Sequence, residues 1–408
     1  MTSTTAAPGR ADRRVDALDV LLGAASGADV PALAVLVDRA FALLGQEATV
    51  LVADEAHSAL SPLLPEGSSP APRSAEDLDA AWRVMRGTGP AEADGPALRW
   101  WPLRVGDQPL GVLEVHRREG DRRVAAPDRA VIFRLAAVVA HLVAAHGREA
   151  DEIPRLQGAD RRSVRAELIW SLLPPLVHRS PGLDLAGMVS PADDIAGDAF
   201  DYAVDHGVLR FGVFDATGHD LRSGMMATLA VAAYRKARRG DEDLTGVIAT
   251  MDEVLAARAP QEGFVAGAFG ELDLRTGRLV YANAGQVPPF VLREGLVVAC
   301  LDEERLPALG LTGSLGIPLP AAEHPEVQLR PGDVVVLHTD GITEARSQSG
   351  DFYALERMAQ VLSSGPEGEP LAAAADRLLA DVTAHRRRGI GDDATVLLFR
   401  WTGPAGRR

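Results

Sequence analysis

The stretch from Asp198 to Asp215, with an aspartate at each end, most strongly limits how this chain can fold. Residues 205–208, Asp-His-Gly-Val, are typical of a two-residue hairpin turn, because glycine adopts positive φ without strain. If His206 and Gly207 form the turn, counting outward along both strands places Asp198 directly opposite Asp215. Cross-strand partners point to the same face with Cβ atoms about 5 Å apart, where like charges are destabilising. The sequence therefore predicts a pair of carboxylates whose repulsion a divalent cation would offset.

Further aspartates stand at the ends of other predicted strands. Asp340 follows the apolar run 334–339, and Gly341 lets the backbone turn at that point. The pair Asp392-Asp393 precedes the last predicted strand, 394–401. Carboxylates without a neighbouring His or Cys cluster form an all-oxygen site, which favours Mg²⁺ or Mn²⁺ over Zn²⁺.

Composition narrows the class of protein. The 408 residues carry a net charge of −15, and no segment forms a basic stripe, which argues against binding to nucleic acid. Cys300 is the only cysteine, so an internal disulfide and a Cys-based zinc site are excluded, and we expect it to be a small core residue. The first 16 residues lack the apolar core of a signal peptide, and the apolar stretch 135–145 is shorter than the ~20 residues of a membrane span. These features predict a cytoplasmic protein.

The length predicts two domains. We expect a disordered tail at 1–13, a compact α/β unit at 14–148, a charged linker helix at 149–173 and a second domain at 174–402. In the first unit, runs of apolar residues predict strands at 48–53, 98–105 and 109–116, the last two joined by a Gly106-Asp107 turn, between helices at 31–44 and 128–146. The second domain alternates strand hairpins with blocks of helices, which indicates an α+β fold with mostly antiparallel strands.

Six short motifs occur in order along the second domain. They are Gly197-Asp198-Ala199-Phe200-Asp201, Asp215-Ala216-Thr217-Gly218-His219, Tyr281-Ala282-Asn283-Ala284-Gly285-Gln286-Val287-Pro288-Pro289, Leu329-Arg330-Pro331-Gly332-Asp333, His338-Thr339-Asp340-Gly341-Ile342-Thr343-Glu344 and Gly391-Asp392-Asp393-Ala394-Thr395. Together they resemble the SpoIIE/RsbU branch of the metal-dependent (PPM) protein phosphatases. The resemblance covers roughly residues 165–401.

This resemblance implies a PPM-type αββα sandwich with two Mn²⁺ or Mg²⁺ ions at one edge. Asp215 matches the bridging ligand, and the backbone carbonyl of Ala216 matches a further ligand. Asp198 and Asp340 match two others, so that Asp198, Asp215 and Asp340 are the expected catalytic residues. The remaining ligand is Asp392 or Asp393, and the order of the family motif favours Asp392. Two metals would activate a water for attack on phosphorus without a phosphoenzyme.

The sequence departs from the family pattern at three positions outside this ligand set. Ala196 replaces the first glycine of the usual Gly-Gly-Asp. Asp220 replaces the last glycine of the usual Gly-His-Gly, and Gln286 replaces the histidine of the usual Ala-Gly-His. An added carboxylate at Asp220 would repel a phosphorylated substrate. We therefore expect activity to be retained, though lowered.

The first unit resembles a GAF sensor domain, which implies either a small-molecule ligand or a purely structural, dimerising role. For the whole chain, the resemblance implies a homodimeric phosphoserine/phosphothreonine phosphatase acting on a STAS-domain anti-anti-sigma factor. Its N-terminal domain would regulate it through the linker. Two alternatives remain open: a non-catalytic sensor or scaffold with a degenerate phosphatase domain, and a phosphatase of small metabolites.

Overall fold

The computed structural model describes residues 10–24, 29–54, 59–86, 98–117, 129–158, 163–190, 197–218, 220–258, 263–303, 305–316, 324–366, 368–386 and 393–404. The chain divides into two units, Met1–Arg161 and Arg162–Arg408. This boundary falls within the segment that the sequence predicts as a linker.

The N-terminal unit contains a four-stranded antiparallel sheet in the order β2-β1-β4-β3. Its strands are β1 (Gln46–Ala53), β2 (Leu60–Pro62), β3 (Leu98–Val105) and β4 (Gln108–Arg117). Its helices are α1 (Arg10–Ala24), α2 (Val30–Ala42), α3 (Ala75–Arg86), α4 (Arg129–Glu149) and α5 (Glu152–Leu156). The three predicted strands and both predicted helices are present. The GAF resemblance of this unit stays a prediction.

Two expectations for the N-terminal unit need correction. Helix α1 begins at Arg10, so residues 10–13 are helical rather than part of a disordered tail, and residues 1–9 lie outside the described part. Helix α4 has 21 residues and is long and apolar enough to cross a membrane by length and composition. The sequence estimate of a short apolar stretch was therefore too low. Half of its apolar window is buried inside the protein, with Leu135 and Val139 in the core of the unit.

The predicted linker does not form one continuous helix. Helix α4 ends at Glu149, and α5 is a separate helix of five residues. Gly158 follows α5 with a φ of 92°, a left-handed conformation that ends a helix. The next helix, α6 (Val164–Leu172), belongs to the C-terminal unit.

The C-terminal unit contains two six-stranded sheets. The first sheet consists of β7 (Asp198–Asp205), β8 (Val208–Ala216), β9 (Val265–Asp273), β10 (Arg278–Ala284), β13 (Arg305–Leu306) and β14 (Glu326–Gln328). The second consists of β5 (Val177–Ser180), β6 (Leu183–Ser190), β11 (Phe290–Arg293), β12 (Leu296–Cys300), β15 (Val334–His338) and β16 (Ala394–Trp401). The other helices are α7 (Leu221–Arg239), α8 (Leu244–Ala256), α9 (Leu311–Leu315), α10 (Asp340–Thr343), α11 (Leu355–Ser363) and α12 (Leu371–His385). Among the described strands only β10 and β13 pair in parallel.

The two sheets pack face to face and carry helices on their outer sides. Apolar side chains from both sheets form the inner core, where the rings of Phe211 and Phe399 lie 4.7 Å apart. Helices α6, α7 and α8 cover the first sheet, and α11 and α12 cover the second. This four-layer arrangement confirms the predicted α+β sandwich of αββα type.

The sheets approach closely near the start of β7. A Cβ atom at Gly187 of β6 would lie 2.2 Å from Cζ of Phe200, so only glycine leaves room for this ring between the sheets. Phe200 is fully buried two residues after Asp198. The packing therefore fixes the start of β7 against the second sheet.

Cys300 is exposed, so its prediction as a core residue was wrong. It ends β12, a strand at the edge of its sheet, where exposed and partly buried residues alternate. An apolar run cannot reveal that a strand lies at an edge, because only its partners in the sheet decide this.

Candidate metal centre

The hairpin β7–β8 brings the first two aspartates together as predicted. Asp198 is the partner of Asp215 in the antiparallel register. His206 and Gly207 have φ angles of 51° and 80°, the pair of positive values that a type I′ turn requires. The turn type fixes the register, and the register places the two carboxylates opposite each other.

Alternation along the strands decides where these carboxylates point. Phe200 and Val213, two residues from each aspartate, lie in the core between the sheets, whereas Ala199 and Phe214 face the helices. Because side chains alternate along a strand, both aspartates point into the space between the sheets at their edge. Asp198 is 3% exposed. A charged group buried this deeply needs a partner or a cation.

The second sheet contributes residues to the same edge. Asp340 begins α10, separated from the end of β15 only by Thr339, and Asp393 directly precedes β16. Oδ2 of Asp393 accepts a hydrogen bond of 2.8 Å from the backbone N–H of Gly197, the residue before Asp198. Asp392 lies outside the described residues. The aspartates that the structure describes thus come from both sheets.

The electrostatics of the site show that these carboxylates interact. Burial and the nearby charges of Asp215 and Asp393 raise the pKa of Asp198 well above its usual value. The hydroxyl of Thr339 acts in the opposite direction, because it donates a hydrogen bond of 2.6 Å to Oδ2 of Asp198. A buried carboxylate whose ionised form is destabilised by two neighbouring carboxylates is a group that a bound cation stabilises.

The carbonyl of Ala216 lies beside the same loop. A Cβ atom at Gly197 would come within 3.0 Å of this oxygen and 3.4 Å of the carbonyl oxygen of Gly218. A side chain at position 197 would therefore crowd these carbonyl oxygens, and the reason for glycine here is space, since Gly197 is not among the described residues with positive φ. The backbone N–H of Ala216 donates to the carbonyl of Gly197 at 3.0 Å, which joins both segments.

Among the residues that the structure describes, no three His, Cys, Asp or Glu side chains form by themselves a group that could hold a metal ion. The donor chemistry nevertheless fits Mg²⁺ or Mn²⁺, because the facing Asp198 and Asp215 offer only oxygen atoms. The ligand roles of Asp198, Asp215, Ala216, Asp340, Asp392 and Asp393 stay predictions.

Asp220, one of the departures from the family pattern, has a structural role. Its carboxylate accepts hydrogen bonds from the backbone N–H groups of Arg222 (2.9 Å) and Ser223 (3.2 Å), so it caps the N-terminus of α7. Its φ of −116° is extended, and the left-handed position in this turn is Gly218. The carboxylate that was expected to repel substrate is bound to the helix end. His219 lies outside the described residues.

Gln286 also has local partners. Its backbone exchanges two hydrogen bonds with the side-chain amide of Asn283, at 2.9 and 3.0 Å, and its Oε1 accepts from Val287 N at 2.9 Å. Gln286 is 4% exposed. These contacts close the turn after β10, but Nε2 of Gln286 is buried without a hydrogen-bond partner among the described residues.

Sequence reasoning missed two residues that support the site. Thr339 was part of a motif, but its bond to Asp198 joins positions 141 residues apart. Arg386, at the end of α12, donates a hydrogen bond of 2.7 Å from Nη2 to the carbonyl of Gly341, next to Asp340. No local pattern could reveal either contact, because both depend on the packing of distant segments.

Residues 205–402 match the family model described as Stage II sporulation protein E (SpoIIE). Protein IcfG of Synechocystis is 29% identical over 122 residues, which cover 30% of this chain and 18% of IcfG. Phosphoserine phosphatase RsbU of Bacillus subtilis is 20% identical over 187 residues, 46% of this chain and 54% of RsbU. The solved SiaA-PP2C domain of Pseudomonas aeruginosa is 22% identical with a TM-score of 0.49, covering 62% of this chain and 99% of that domain. The chain thus spans little more than half of RsbU and less of IcfG.

Proposed function

Because the C-terminal unit of this chain carries a SpoIIE-type phosphatase domain, we propose that the protein hydrolyses phosphoserine and phosphothreonine in a protein substrate with two divalent cations. The observation that carries this proposal is the buried Asp198 facing Asp215, with Asp393 close enough to raise its pKa. The fold itself does not require two carboxylates that repel each other at this position. A cation-dependent reaction does require such a pair, because both carboxylates can bind the cations.

Both sheets would contribute ligands to the cations. Asp198, Asp215 and the carbonyl of Ala216 would hold the cations from the first sheet, and Asp340 and Asp392 from the second. Bound Mn²⁺ or Mg²⁺ would supply Lewis-acid chemistry that activates water and stabilises charge on the phosphoryl oxygens. The side chains themselves would orient the ions and keep the edge of the sandwich rigid.

One hydrogen bond of Asp393 supports a choice between Asp392 and Asp393. Oδ2 of Asp393 accepts from Gly197 N, so this carboxylate fastens the second sheet to the loop before Asp198. We therefore assign the ligand role to Asp392, which the family motif also favours, and a positioning role to Asp393. Asp393→Asn should weaken metal binding less than Asp392→Asn does, and the reverse order would contradict the assignment.

The test of the proposed activity is Mn²⁺-dependent hydrolysis of an aryl phosphate and of several phosphoserine proteins. Loss of residues that merely support metal ligands typically costs 10–100-fold, so Asp215→Asn should lower kcat/KM by more than roughly 100-fold. Asp205→Asn is the matched control, because Asp205 is exposed at the far end of the same hairpin. It should retain wild-type rates.

The same assay separates the alternatives. Absence of turnover by the wild type at saturating Mn²⁺ would favour the non-catalytic sensor or scaffold. Higher kcat/KM on phosphorylated metabolites than on phosphoproteins would favour the metabolite phosphatase. Asp220 caps α7 and Gln286 closes the turn after β10, and turnover by the wild type decides whether these departures lower the activity.

The substrate class that we propose is a STAS-domain anti-anti-sigma factor, in a cytoplasmic partner-switching pathway. RsbU, similar over 46% of this chain, is named a phosphoserine phosphatase, which supports the reaction type. Dephosphorylation of a purified STAS-domain phosphoprotein, measured as release of inorganic phosphate, tests this choice of substrate.

We also propose that the N-terminal unit, as a homodimer or through a small ligand, regulates the phosphatase domain. Helix α6, the first element of the C-terminal unit, is fastened to α7: Nη2 of Arg235 donates to the carbonyl of Leu172 at 2.5 Å. The same guanidinium contacts Asp201 of β7 at 2.6 Å, three residues from Asp198. If removal of residues 1–148 changed neither the rate nor the metal affinity, this regulatory role would be contradicted.

A further inference from the structure

Thr339 occupies a position where threonine usually caps a helix. It directly precedes α10 and has the extended backbone of an N-cap residue, with φ −95° and ψ 166°. A threonine in this position normally accepts a hydrogen bond from the first turn of the helix, and replacing it usually destabilises that helix. Here the side chain makes no such bond. Its hydroxyl is used elsewhere.

The hydroxyl joins three segments of the chain. It donates its single proton to Oδ2 of Asp198 at 2.6 Å and accepts a hydrogen bond from the backbone N–H of Thr395 at 3.0 Å. The backbone N–H of Thr339 also donates to the carbonyl of Thr395 at 3.0 Å. Thr339 is fully buried, so water does not compete for these bonds.

The three segments carry three of the acidic residues, Asp198, Asp340 and Asp393. Asp198 begins β7 in the first sheet, Asp340 follows Thr339 after β15, and Asp393 stands two residues before Thr395 in the second sheet. The bond from Thr339 to Asp198 therefore crosses from one sheet to the other at the edge that holds the candidate metal centre. It fixes the orientation of one carboxylate relative to the backbone that carries the others.

We propose that Thr339 is a positioning residue that sets the acidic groups of the two sheets in register for cation binding. This inference rests on the proposed function, because it gives the hydroxyl a role in metal affinity rather than in stability alone. Loss of a side chain that orients a metal ligand by a hydrogen bond, without binding the metal itself, typically lowers metal affinity by about 10–100-fold. The hydroxyl, and not the shape of the side chain, is the group that should matter.

The experiment compares Thr339→Val, which keeps the shape, with Thr339→Ser, which keeps the hydroxyl. Mn²⁺ affinity is measured by isothermal titration calorimetry on the full chain, and thermal unfolding is recorded with excess EDTA. We expect Thr339→Val to raise the Kd for Mn²⁺ by about 10-fold or more, and Thr339→Ser by less than about 3-fold. If only the shape of the Thr339 side chain mattered, serine would not retain the Mn²⁺ affinity that valine loses.

Thr250→Val is the matched control. The hydroxyl of Thr250, on α8, also donates a hydrogen bond to a carboxylate, that of Glu242, at 2.8 Å. This substitution should lower the unfolding temperature without changing the Kd for Mn²⁺. If Thr339→Val is unfolded, Thr339→Ala replaces it and the comparison of alanine with serine decides. Equal Mn²⁺ affinities in the hydroxyl-free and the serine variants would overturn the inference.

The wild type separates this inference from the proposed function. A wild-type protein that binds Mn²⁺ and hydrolyses the aryl phosphate, beside a Thr339→Val variant with unchanged Kd, overturns the role of Thr339 alone. A wild-type protein that binds neither Mn²⁺ nor Mg²⁺ overturns the proposed function and this inference with it.

Discussion

Replacing Asp198 by Asn should stabilise the protein in the absence of metal while removing its response to metal. Asp198 is buried opposite Asp215, and the charges of Asp215 and Asp393 oppose its ionisation. Asparagine has nearly the same shape, and its carbonyl oxygen can still accept the hydrogen bond from Thr339. The substitution therefore removes a repulsion and keeps the main contact.

The magnitude follows from the register. Two unit charges about 5 Å apart interact by roughly 3 kcal/mol at the effective dielectric constant of 20 that suits protein sites. Asp215 is half-buried, so solvent weakens its repulsion. We expect the free energy of unfolding to rise by about 1–3 kcal/mol without metal. For a unit of this size, each kcal/mol raises the unfolding temperature by about 2–4 °C.

The assay is thermal unfolding of wild type and Asp198→Asn, first with excess EDTA and then with Mn²⁺. At a Mn²⁺ concentration 100 times the Kd, the wild type should gain about 2.7 kcal/mol and the variant almost nothing. The order of stability should therefore reverse between the two conditions, or the two proteins should become equal. Asp205→Asn, exposed on the same hairpin, should stay within about 0.5 kcal/mol of wild type in both. An Asp198→Asn variant less stable than wild type in EDTA would refute the reasoning.

Substitutions at three further positions test the packing around the site by urea-induced unfolding. Arg235→Met should lower the unfolding free energy by about 2–4 kcal/mol, because Asp201 is 1% exposed and would lose one of its two arginines. A loss below about 1 kcal/mol would show that the remaining arginine suffices. Gly187→Ala should cost about 1–3 kcal/mol, because the added Cβ would meet the ring of Phe200 at 2.2 Å, and an unchanged midpoint would contradict this packing. Asp220→Ala should cost about 1 kcal/mol through the lost helix cap, whereas Asp220→Asn, an equally good cap, should be neutral. Equal losses in both Asp220 variants would argue against capping.

Local geometry explains which parts of the site the sequence could predict. A two-residue turn fixes its own register, so the pairing of Asp198 with Asp215 followed from His206 and Gly207 alone, and the structure confirms it. The contact of Asp393 with Gly197 did not follow, because the two residues are 196 positions apart. The division of the linker into separate helices was also missed, since helical composition does not reveal where a chain turns.

The same distinction applies to the fold. Strand β3 was predicted with its observed bounds, because a run of apolar and aromatic residues that ends at the turn Gly106-Asp107 is typical of a strand. Exposure of Cys300 could not be predicted, since β12 is an edge strand only by virtue of its partners in the sheet. Patterns within one element thus predict the element, and contacts between elements decide burial.

The position of the candidate metal centre links its assembly to that of the whole sandwich. Asp198 and Asp215 meet through a local hairpin, but Asp393 reaches the loop before Asp198 only when the second sheet has packed against the first. Two hydrogen bonds, from Thr339 to Asp198 and from Gly197 to Asp393, cross between the sheets at this edge. A cation bound by residues of both sheets would stabilise the packed sandwich and not either sheet alone. Metal affinity should therefore respond to changes in the packing between the sheets, even where the substituted residue touches none of the acidic groups.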